Sequence, residues 1–286
     1  MENISPNLFM EMALQVRRLQ IFYIIQRWKC KKELLISIQE TIMAKEILAI
    51  IPARGGSKGI KRKNLVPIEG KPLIQYTIEA AVGSKYVTRV TVNSEDAEII
   101  DYASKQGVEV IVRPDELAQD ATPMKDVILH ELRYLREKEE YVPDIIVLLQ
   151  PTSPLRTAEH IDEAMQKLLL SDADALVSVE EEPHLHSPYS VMQINEQGYL
   201  EFFLKEGEKF TSRQQKPKFY ARNGAAIYAV ETDVYLRTGS LYGTKCMAYE
   251  MQPEDSVDID EPMDLYLVRS MMQYKREKSA LRSKDS

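Results

Sequence analysis

The sequence predicts an α/β protein built on a doubly wound, mostly parallel sheet. Short apolar runs alternate with segments whose apolar residues recur at helical spacing, which is the pattern of successive βαβ units. One run, residues 144–149 (DIIVLL), is apolar almost throughout, as expected for a strand buried on both faces. With 286 residues, 44% of them hydrophobic, the chain can bury a substantial core. We therefore expect a ligand crevice beyond the carboxyl ends of the strands.

The elements follow in chain order. Residues 47–51 form the first strand, which ends at Pro52. Pro72 suits a helix entry, and the apolar residues after it recur at helical spacing. Gly107 closes a helix over 97–106, because glycine readily adopts the left-handed conformation at a helix end. The other expected elements are strands at 89–93, 109–112, 144–149 and 175–179, helices at 124–139 and 158–170, and a final core stretch that resumes at 224–230 and ends near Ser270.

The alternation breaks at residues 180–222, which we predict to be an inserted element. Residues 189–194 and 199–204 flank a short polar turn and indicate a hairpin. A lid or a subunit contact would explain the phenylalanines that we expect to be exposed here (Phe202, Phe203, Phe210 and Phe219). We assign residues 44–270 to one domain and 271–286 to a charged tail that frays after Tyr274.

Residues 1–43 form an N-terminal extension. Met43 directly precedes the first strand, and our preferred hypothesis is that it is the true start and the preceding stretch is mis-called. A membrane-surface or partner-binding helix is the alternative. The run of about 20 apolar residues that a spanning helix needs is absent.

Composition narrows the partners and the compartment. A net charge of -7 argues against general nucleic-acid binding, which needs a basic surface. Two cysteines in so long a chain give no disulfide framework, which fits a reducing cytosol. We therefore expect a cytoplasmic protein without nucleic-acid or membrane partners.

The stretch 47–65 (ILAIIPARGGSKGIKRKNL) is the most informative part of the chain. A strand delivers a loop that combines flexible backbone with positive charge, and such a loop suits a polyphosphate. An ordinary surface turn with solvated lysines is the alternative. The residues concerned are the glycines Gly55, Gly56 and Gly59 and the cations Arg54, Lys58, Lys61, Arg62 and Lys63.

A second cluster, DSVDID at 255–260, carries paired carboxylates. Asp258 and Asp260 lie two residues apart, so on an extended segment both point to the same side. Such a pair beside a triphosphate suits Mg²⁺, which takes one or two carboxylates together with phosphate oxygens and water. A solvated acidic turn is the alternative.

A third cluster, LLQPTSPLR at 148–156, follows the buried strand at 144–149. Gln150 lies at the strand's carboxyl end, where its amide could bind a sugar, although the segment could also be only a rigid connection. Arg113 follows the strand 109–112 in a matching position, and Arg222 ends a second basic stretch. The histidines have no spacing typical of zinc sites, and there is no G-x-S-x-G nucleophile motif.

Other classes of nucleotide-binding protein fit less well. The glycine loop lacks the G-x-G-x-x-G spacing of dinucleotide-dependent oxidoreductases and the G-x-x-x-x-G-K-[ST] pattern of P-loop kinases. A non-catalytic nucleotide-binding protein remains an alternative, although it has no need for paired aspartates beside phosphates.

Together the motifs resemble those of the acylneuraminate cytidylyltransferases, which make CMP-activated sialic acids. The resemblance covers roughly residues 46–270 in the family's order. The matching motifs are IPARGGSKGIKRKN at 51–64, VRPDELA at 112–118, LLQPTSPLR at 148–156, ARNGAAIY at 221–228 and DSVDID at 255–260. It implies a Rossmann-like nucleotidyltransferase fold with a small inserted dimerisation hairpin, and hence a homodimer.

The resemblance also implies the reaction. CMP would pass from CTP to the anomeric hydroxyl of a nine-carbon 2-keto-3-deoxy sugar acid, with release of pyrophosphate and a need for Mg²⁺. We expect N-acetylneuraminate as the sugar acid, with legionaminic and pseudaminic acids as alternatives for the same chemistry. The implied residues are Ala53, Arg54, Gly55, Ser57, Lys58, Asn64 and Arg113 for CTP, Gln150, Arg222 and Asn223 for the sugar, Asp258 and Asp260 for the metal, and Arg54, Lys63, Asp258 and Asp260 for catalysis.

Two departures from the family pattern concern the site. Met124 stands where family members often have a serine in the base pocket, with Thr122 nearby. The proline that commonly separates the arginine and asparagine of the R-P-N-G-A motif is absent between Arg222 and Asn223.

Overall fold

A computed structural model describes residues 44–224 and 226–282. The hypothesis about residues 1–43 and the last four residues of the predicted tail lie outside the described residues. The chain from Glu46 onward forms one compact unit. Across the described ranges, no helix combines the length and the apolar character that crossing a bilayer requires.

The unit contains twelve strands and six α-helices within the described residues. The strands are β1 (Ile47–Pro52), β2 (Pro67–Ile68), β3 (Lys71–Pro72), β4 (Arg89–Ser94), β5 (Glu109–Val112), β6 (Ile145–Leu148), β7 (Ala175–Glu181), β8 (Met192–Ile194), β9 (Leu200–Phe202), β10 (Tyr220–Arg222), β11 (Tyr228–Glu231) and β12 (Cys246–Glu250). The helices are α1 (Leu73–Gly83), α2 (Ala97–Lys105), α3 (Met124–Glu139), α4 (Ala158–Leu169), α5 (Thr232–Thr238) and α6 (Pro262–Arg282).

Eight strands form the central sheet, in the order β10-β7-β11-β6-β1-β4-β5 with β12 also paired to β7. The pairs β1–β4, β1–β6, β4–β5 and β7–β12 are parallel. Helices pack on both faces, so the predicted α/β, mostly parallel architecture is confirmed.

Strand β11 departs from the simple βαβ pattern. It runs antiparallel between β6 and β7, whereas the sequence pattern predicts that these two are successive parallel strands. The short strand β10 is also antiparallel to β7. An apolar run buried on both faces has the same composition in either direction, so the sequence pattern could not reveal this reversal.

Three apolar clusters build the core. Helices α1, α2 and α4 cover one face of the sheet, and α3 and α5 cover the other. A third cluster joins the glycine loop, the segment after β6, the DSVDID segment and α6. Its buried members are Ile60, Ile68, Leu73, Leu155, Ile259 and Val268. Apolar packing thus holds three of the predicted functional segments together.

Helix α3 carries a buried carboxyl group against the sheet. Glu131 is fully buried and accepts hydrogen bonds from the Thr91 hydroxyl and, at 2.7 Å, from Asn93 Nδ2 on β4. Burial raises the pKa of Glu131 to about 7, because the ionised form loses its hydration.

The inserted element is anchored by its ends in the central sheet. Strand β7 continues to Glu181, and β10 pairs with it through Arg222 and Val179. The predicted hairpin is present as β8 and β9 but is shorter than expected. Among the four phenylalanines only Phe203, 58% accessible, is exposed, so the prediction is wrong for Phe202, Phe210 and Phe219.

The C-terminal helix is longer than the sequence suggested. Helix α6 continues past Tyr274 to Arg282, so the expectation of fraying is wrong for this stretch. Lys275 pairs with Asp255, and Lys278 Nζ lies 2.9 Å from Glu254 Oε1. These ion pairs fasten the charged end of α6 to the segment that precedes the paired aspartates.

Candidate active site

The glycine loop leaves β1 and is tied down at both ends. The backbone N–H of Ala53 donates to the Asn93 carbonyl at 2.9 Å. Asn64 Nδ2 donates to the Arg54 carbonyl at 3.0 Å, and Asn64 is itself buried. The loop is therefore held in shape without a ligand, which is the condition for a preorganised anion site.

The loop meets the paired-aspartate segment, as the sequence analysis requires. Lys63 Nζ donates to the Ile259 carbonyl at 2.7 Å and lies 3.1 Å from Asp260 Oδ1. Gly59 packs so closely that a Cβ there would lie 2.4 Å from the Asp260 carbonyl oxygen. The cationic and the acidic segments are thus in direct contact.

A cavity of about 1110 Å³ adjoins this contact at Asp260. Its wall includes five of the predicted site residues together with Met124, and the glycine loop reaches it through Asp260. The predicted residues on the wall that are assigned to the sugar or the metal are Gln150, Arg222, Asn223, Asp258 and Asp260. The volume is large enough for a nucleotide or a sugar of the expected size.

Asp258 has the features of an unsatisfied metal ligand. Its Oδ1 is buried and has no hydrogen-bond partner among the described residues. Burial raises the pKa of this carboxyl to about 6, and the neighbouring Asp260 acts in the same direction. A Cβ at Gly224, which has φ +66°, would lie 2.2 Å from Asp258 Cγ, so the chain closes tightly around this group.

The two aspartates fit Mg²⁺ only with help from a ligand. Within the described parts of the chain, no three histidine, cysteine, aspartate or glutamate side chains are grouped so that they could hold a metal ion. A magnesium ion held by Asp258 and Asp260 would therefore need phosphate oxygens and water as its remaining ligands, which is the usual arrangement for Mg²⁺ at nucleotides.

Gln150 is available for a substrate, and Arg156 holds it in place. The side-chain amide of Gln150 forms no hydrogen bond within the described residues, whereas the backbone carbonyl of Gln150 accepts from Arg156 Nη1 at 3.2 Å. Arg156 is fully buried and also donates to the Ala226 carbonyl at 2.7 Å and to Thr77 Oγ1 at 2.6 Å. Burial lowers the pKa of its guanidinium to about 9.

The structure places Arg113 away from the cavity. It is 5% accessible, and its Nε and Nη2 donate to Glu95 Oε2 at 2.9 and 2.8 Å. The other carboxylate oxygen of Glu95 accepts from the Gly55 backbone N–H at 2.7 Å. Arg113 is therefore linked to the glycine loop through Glu95, and the predicted contact with cytidine stays a prediction.

Arg222 and Asn223 have different surroundings despite being adjacent. Arg222 is exposed and donates to the Tyr242 hydroxyl at 3.1 Å on the cavity wall. The Asn223 side chain is buried: its Oδ1 accepts from Ser178 Oγ at 2.7 Å, and its Nδ2 donates to Ser256 Oγ at 3.1 Å. Asn223 thus joins β7 to the DSVDID segment, and its amide is already engaged at both ends.

Two cations of the glycine loop share one carboxylate. Arg54 Nη1 lies 2.5 Å from Asp120 Oδ1, and Lys58 Nζ lies 2.8 Å from Asp120 Oδ2. Ser57, between the two cations, is half-buried.

Sequence reasoning missed Glu95, Asp120 and the anchoring role of Arg156. Glu95 and Asp120 follow the carboxyl ends of β4 and β5, which is a signal that could have drawn attention to them. The burial of Arg156 had no signal, because arginine is rarely buried without a carboxylate partner.

Comparisons with known proteins bear on this site. A family model described as Cytidylyltransferase matches residues 48–283. The N-acylneuraminate cytidylyltransferase of Escherichia coli O18:K1:H7 is 34% identical over 235 residues, which are 82% of this chain and 54% of that protein. The CMP-N,N'-diacetyllegionaminic acid synthase of Legionella pneumophila is 30% identical over 247 residues, covering 81% of this chain and 98% of that protein.

The same fold occurs among solved structures. A CMP:2-keto-3-deoxy-manno-octonic acid synthetase complexed with CTP superposes with a TM-score of 0.61 at 19% identity, over 80% of this chain and 99% of that chain. At this identity the likeness concerns the fold alone. The chain spans about half the length of the N-acylneuraminate cytidylyltransferases that it matches.

Proposed function

Because the chain belongs to the cytidylyltransferase family, we propose that it transfers CMP from CTP to the anomeric hydroxyl of N-acetylneuraminate and releases pyrophosphate. The observation that carries this proposal is the contact of Lys63 with Asp260, which unites a phosphate-type loop with a metal-type carboxylate pair. A protein that only bound nucleotides would have no need for this junction.

The proposed reaction is an attack by the sugar hydroxyl on the α-phosphorus of CTP. Negative charge then grows on the phosphate oxygens and on the departing pyrophosphate. The glycine loop supplies Arg54, Lys58 and Lys63 on a backbone fixed by Asn64, so little reorganisation is needed as that charge develops. Gln150, whose backbone is held by Arg156, would orient the sugar from the cavity wall.

Asp258 and Asp260 are the residues that would hold Mg²⁺. The partnerless buried oxygen of Asp258 supports this assignment, since such an oxygen is costly unless a ligand satisfies it. When bound, Mg²⁺ would supply positive charge close to the reacting phosphates.

The test is pyrophosphate release from CTP in the presence of N-acetylneuraminate and Mg²⁺. We expect release only when the sugar acid is present. Asp258→Asn and Asp260→Asn should each lower turnover about 100-fold or more, by analogy with the loss of other electrostatic contacts in transition states. Asp233→Asn, an exposed acid on α5, is the matched control. Full turnover in Asp260→Asn at saturating Mg²⁺ would remove that residue from the mechanism.

A second candidate substrate is legionaminic acid. The Legionella relative matches this chain over 98% of its own length, whereas the match to the E. coli relative covers 54% of that protein. N-acetylneuraminate and legionaminic acid share the carboxylate and the anomeric centre, so the same residues would act on either. Comparing kcat/KM across N-acetylneuraminic, legionaminic and pseudaminic acids decides between them.

We further propose that the protein is a cytoplasmic homodimer. The hairpin β8–β9 pairs with no other strand of the described chain and exposes Ile194, Tyr199 and Leu200, which are 73%, 69% and 63% accessible. An isolated two-stranded hairpin is marginal in water, so a partner surface would stabilise it. A monomeric mass in light scattering, unchanged by Ile194→Asp, would contradict the dimer.

A further inference from the structure

We propose that Asp120 takes the place of a phosphate group in the ligand-free protein and is displaced when the triphosphate binds. The inference rests on the proposed function, because it assigns Arg54 and Lys58 to the nucleotide phosphates. It adds a residue that determines how strongly CTP is held.

The contacts of Asp120 resemble those expected of a bound phosphate. Each of its carboxylate oxygens binds a different cation, Arg54 at 2.5 Å and Lys58 at 2.8 Å. Carboxylate and phosphate oxygens accept charge-assisted hydrogen bonds from the same donors with similar geometry. The two cations therefore cannot serve Asp120 and a triphosphate fully at the same time.

Exposure shows which of the carboxylates near the loop can leave. The Asp120 side chain is 44% accessible and its partner Lys58 is 80% accessible, so water can replace their contact at small cost. Glu95 also contacts the loop, through the Gly55 N–H, but its pair with Arg113 is 14% and 4% accessible. Separating a buried pair leaves a charge unsolvated, so Glu95 stays in place.

The segment that carries Asp120 leads to the cavity. It follows a short 3-10 turn at Asp115–Ala118. It ends where α3 begins at Met124, a residue of the cavity wall. Local bonds shape it, among them Thr122 Oγ1 to the Glu116 carbonyl at 3.2 Å. Release of Asp120 by phosphates thus frees a segment that adjoins the substrate cavity.

Removing the charge of Asp120 should relieve the competition. We expect Asp120→Asn to bind CTP about 5-fold more tightly in a metal-free buffer. This factor corresponds to the energy of the exposed ion pairs that CTP no longer has to break. Inorganic tripolyphosphate, which has no base, should gain by the same factor because the competition concerns only phosphate oxygens. Titration calorimetry with both ligands measures these affinities.

Asp115→Asn is the matched control. Asp115 is exposed, opens the same turn and forms no ion pair within the described ranges, so its substitution should leave both affinities almost unchanged. Unchanged or weaker binding by Asp120→Asn would overturn the inference, as would a gain for CTP without one for tripolyphosphate. Wild-type protein that binds neither ligand would also overturn it.

The outcomes separate this inference from the proposed function. A 5-fold gain for both ligands in a protein that forms no pyrophosphate from CTP and sugar acids would support the inference and reject the reaction. Normal turnover by the wild-type protein, with Asp120→Asn showing unaltered affinities for both ligands, would support the reaction and reject the inference.

Discussion

Glu131→Gln should stabilise the protein at alkaline pH and have little effect at acidic pH. Burial raises the pKa of Glu131 from 4.5 to about 7, so between these values the folded state retains a proton that the unfolded chain has lost. Its contribution to stability is fully present below pH 4.5 and is lost as the pH rises through 7. At about 1.4 kcal/mol per pH unit between the two values, the loss amounts to about 3 kcal/mol.

Glutamine fits the same surroundings without a charge. Its carbonyl can accept from Asn93 Nδ2, and its amide can donate to the Thr91 hydroxyl, which is free to turn towards the Ala49 carbonyl. Urea unfolding of both proteins at pH 5 and pH 8 measures the effect. We expect the advantage of Glu131→Gln to grow by about 2 to 3 kcal/mol over this interval.

Glu137→Gln, at an exposed position of the same helix, is the control and should show no such trend. A difference between wild type and Glu131→Gln that stays constant with pH would refute the reasoning. It would show that Glu131 is ionised in the folded protein across the whole range.

Three further predictions concern the site. Gly59→Ala should lower turnover in the pyrophosphate assay at least 10-fold, because the added Cβ forces the glycine loop away from Asp260. Gly56→Ala is the control: the added Cβ meets no neighbouring group within 4 Å, so activity should be normal. Lys63→Ala should raise the activation free energy by about 3 kcal/mol, measured as a fall in kcat. An effect confined to the KM for CTP would show that Lys63 contributes only to binding of the ground state. Arg156→Lys should reduce the free energy of unfolding by about 1 to 3 kcal/mol in urea, because one ammonium group cannot serve three separated acceptors, and unchanged stability would contradict that role.

Much of the fold and the meeting of two functional segments could be predicted from the sequence. Apolar periodicity located most elements of the sheet, and the glycine loop and DSVDID combine residue types that suit phosphate and metal binding. What the sequence could not provide were neighbours created by the fold. Asp120 lies far along the chain from Lys58, and the pairing depends on β5 and β1 lying in one sheet.

Burial was the other property that composition did not reveal. Asn223 is predicted to bind the sugar because of its motif, and it does line the cavity, but its side chain is buried and its amide is engaged by Ser178 and Ser256. Motif matching identifies which residues matter but not whether they touch the ligand or hold those that do.

The position of β11 implies an order of events during synthesis. Until residues 228–231 leave the ribosome, β6 and β7 present unpaired apolar edges towards each other, the kind of surface that attracts other chains. Translation of the intervening stretch, roughly 50 residues, takes several seconds. Asp258 and Asp260 are synthesised only after β11, so these two strand edges are covered before the cavity wall is complete.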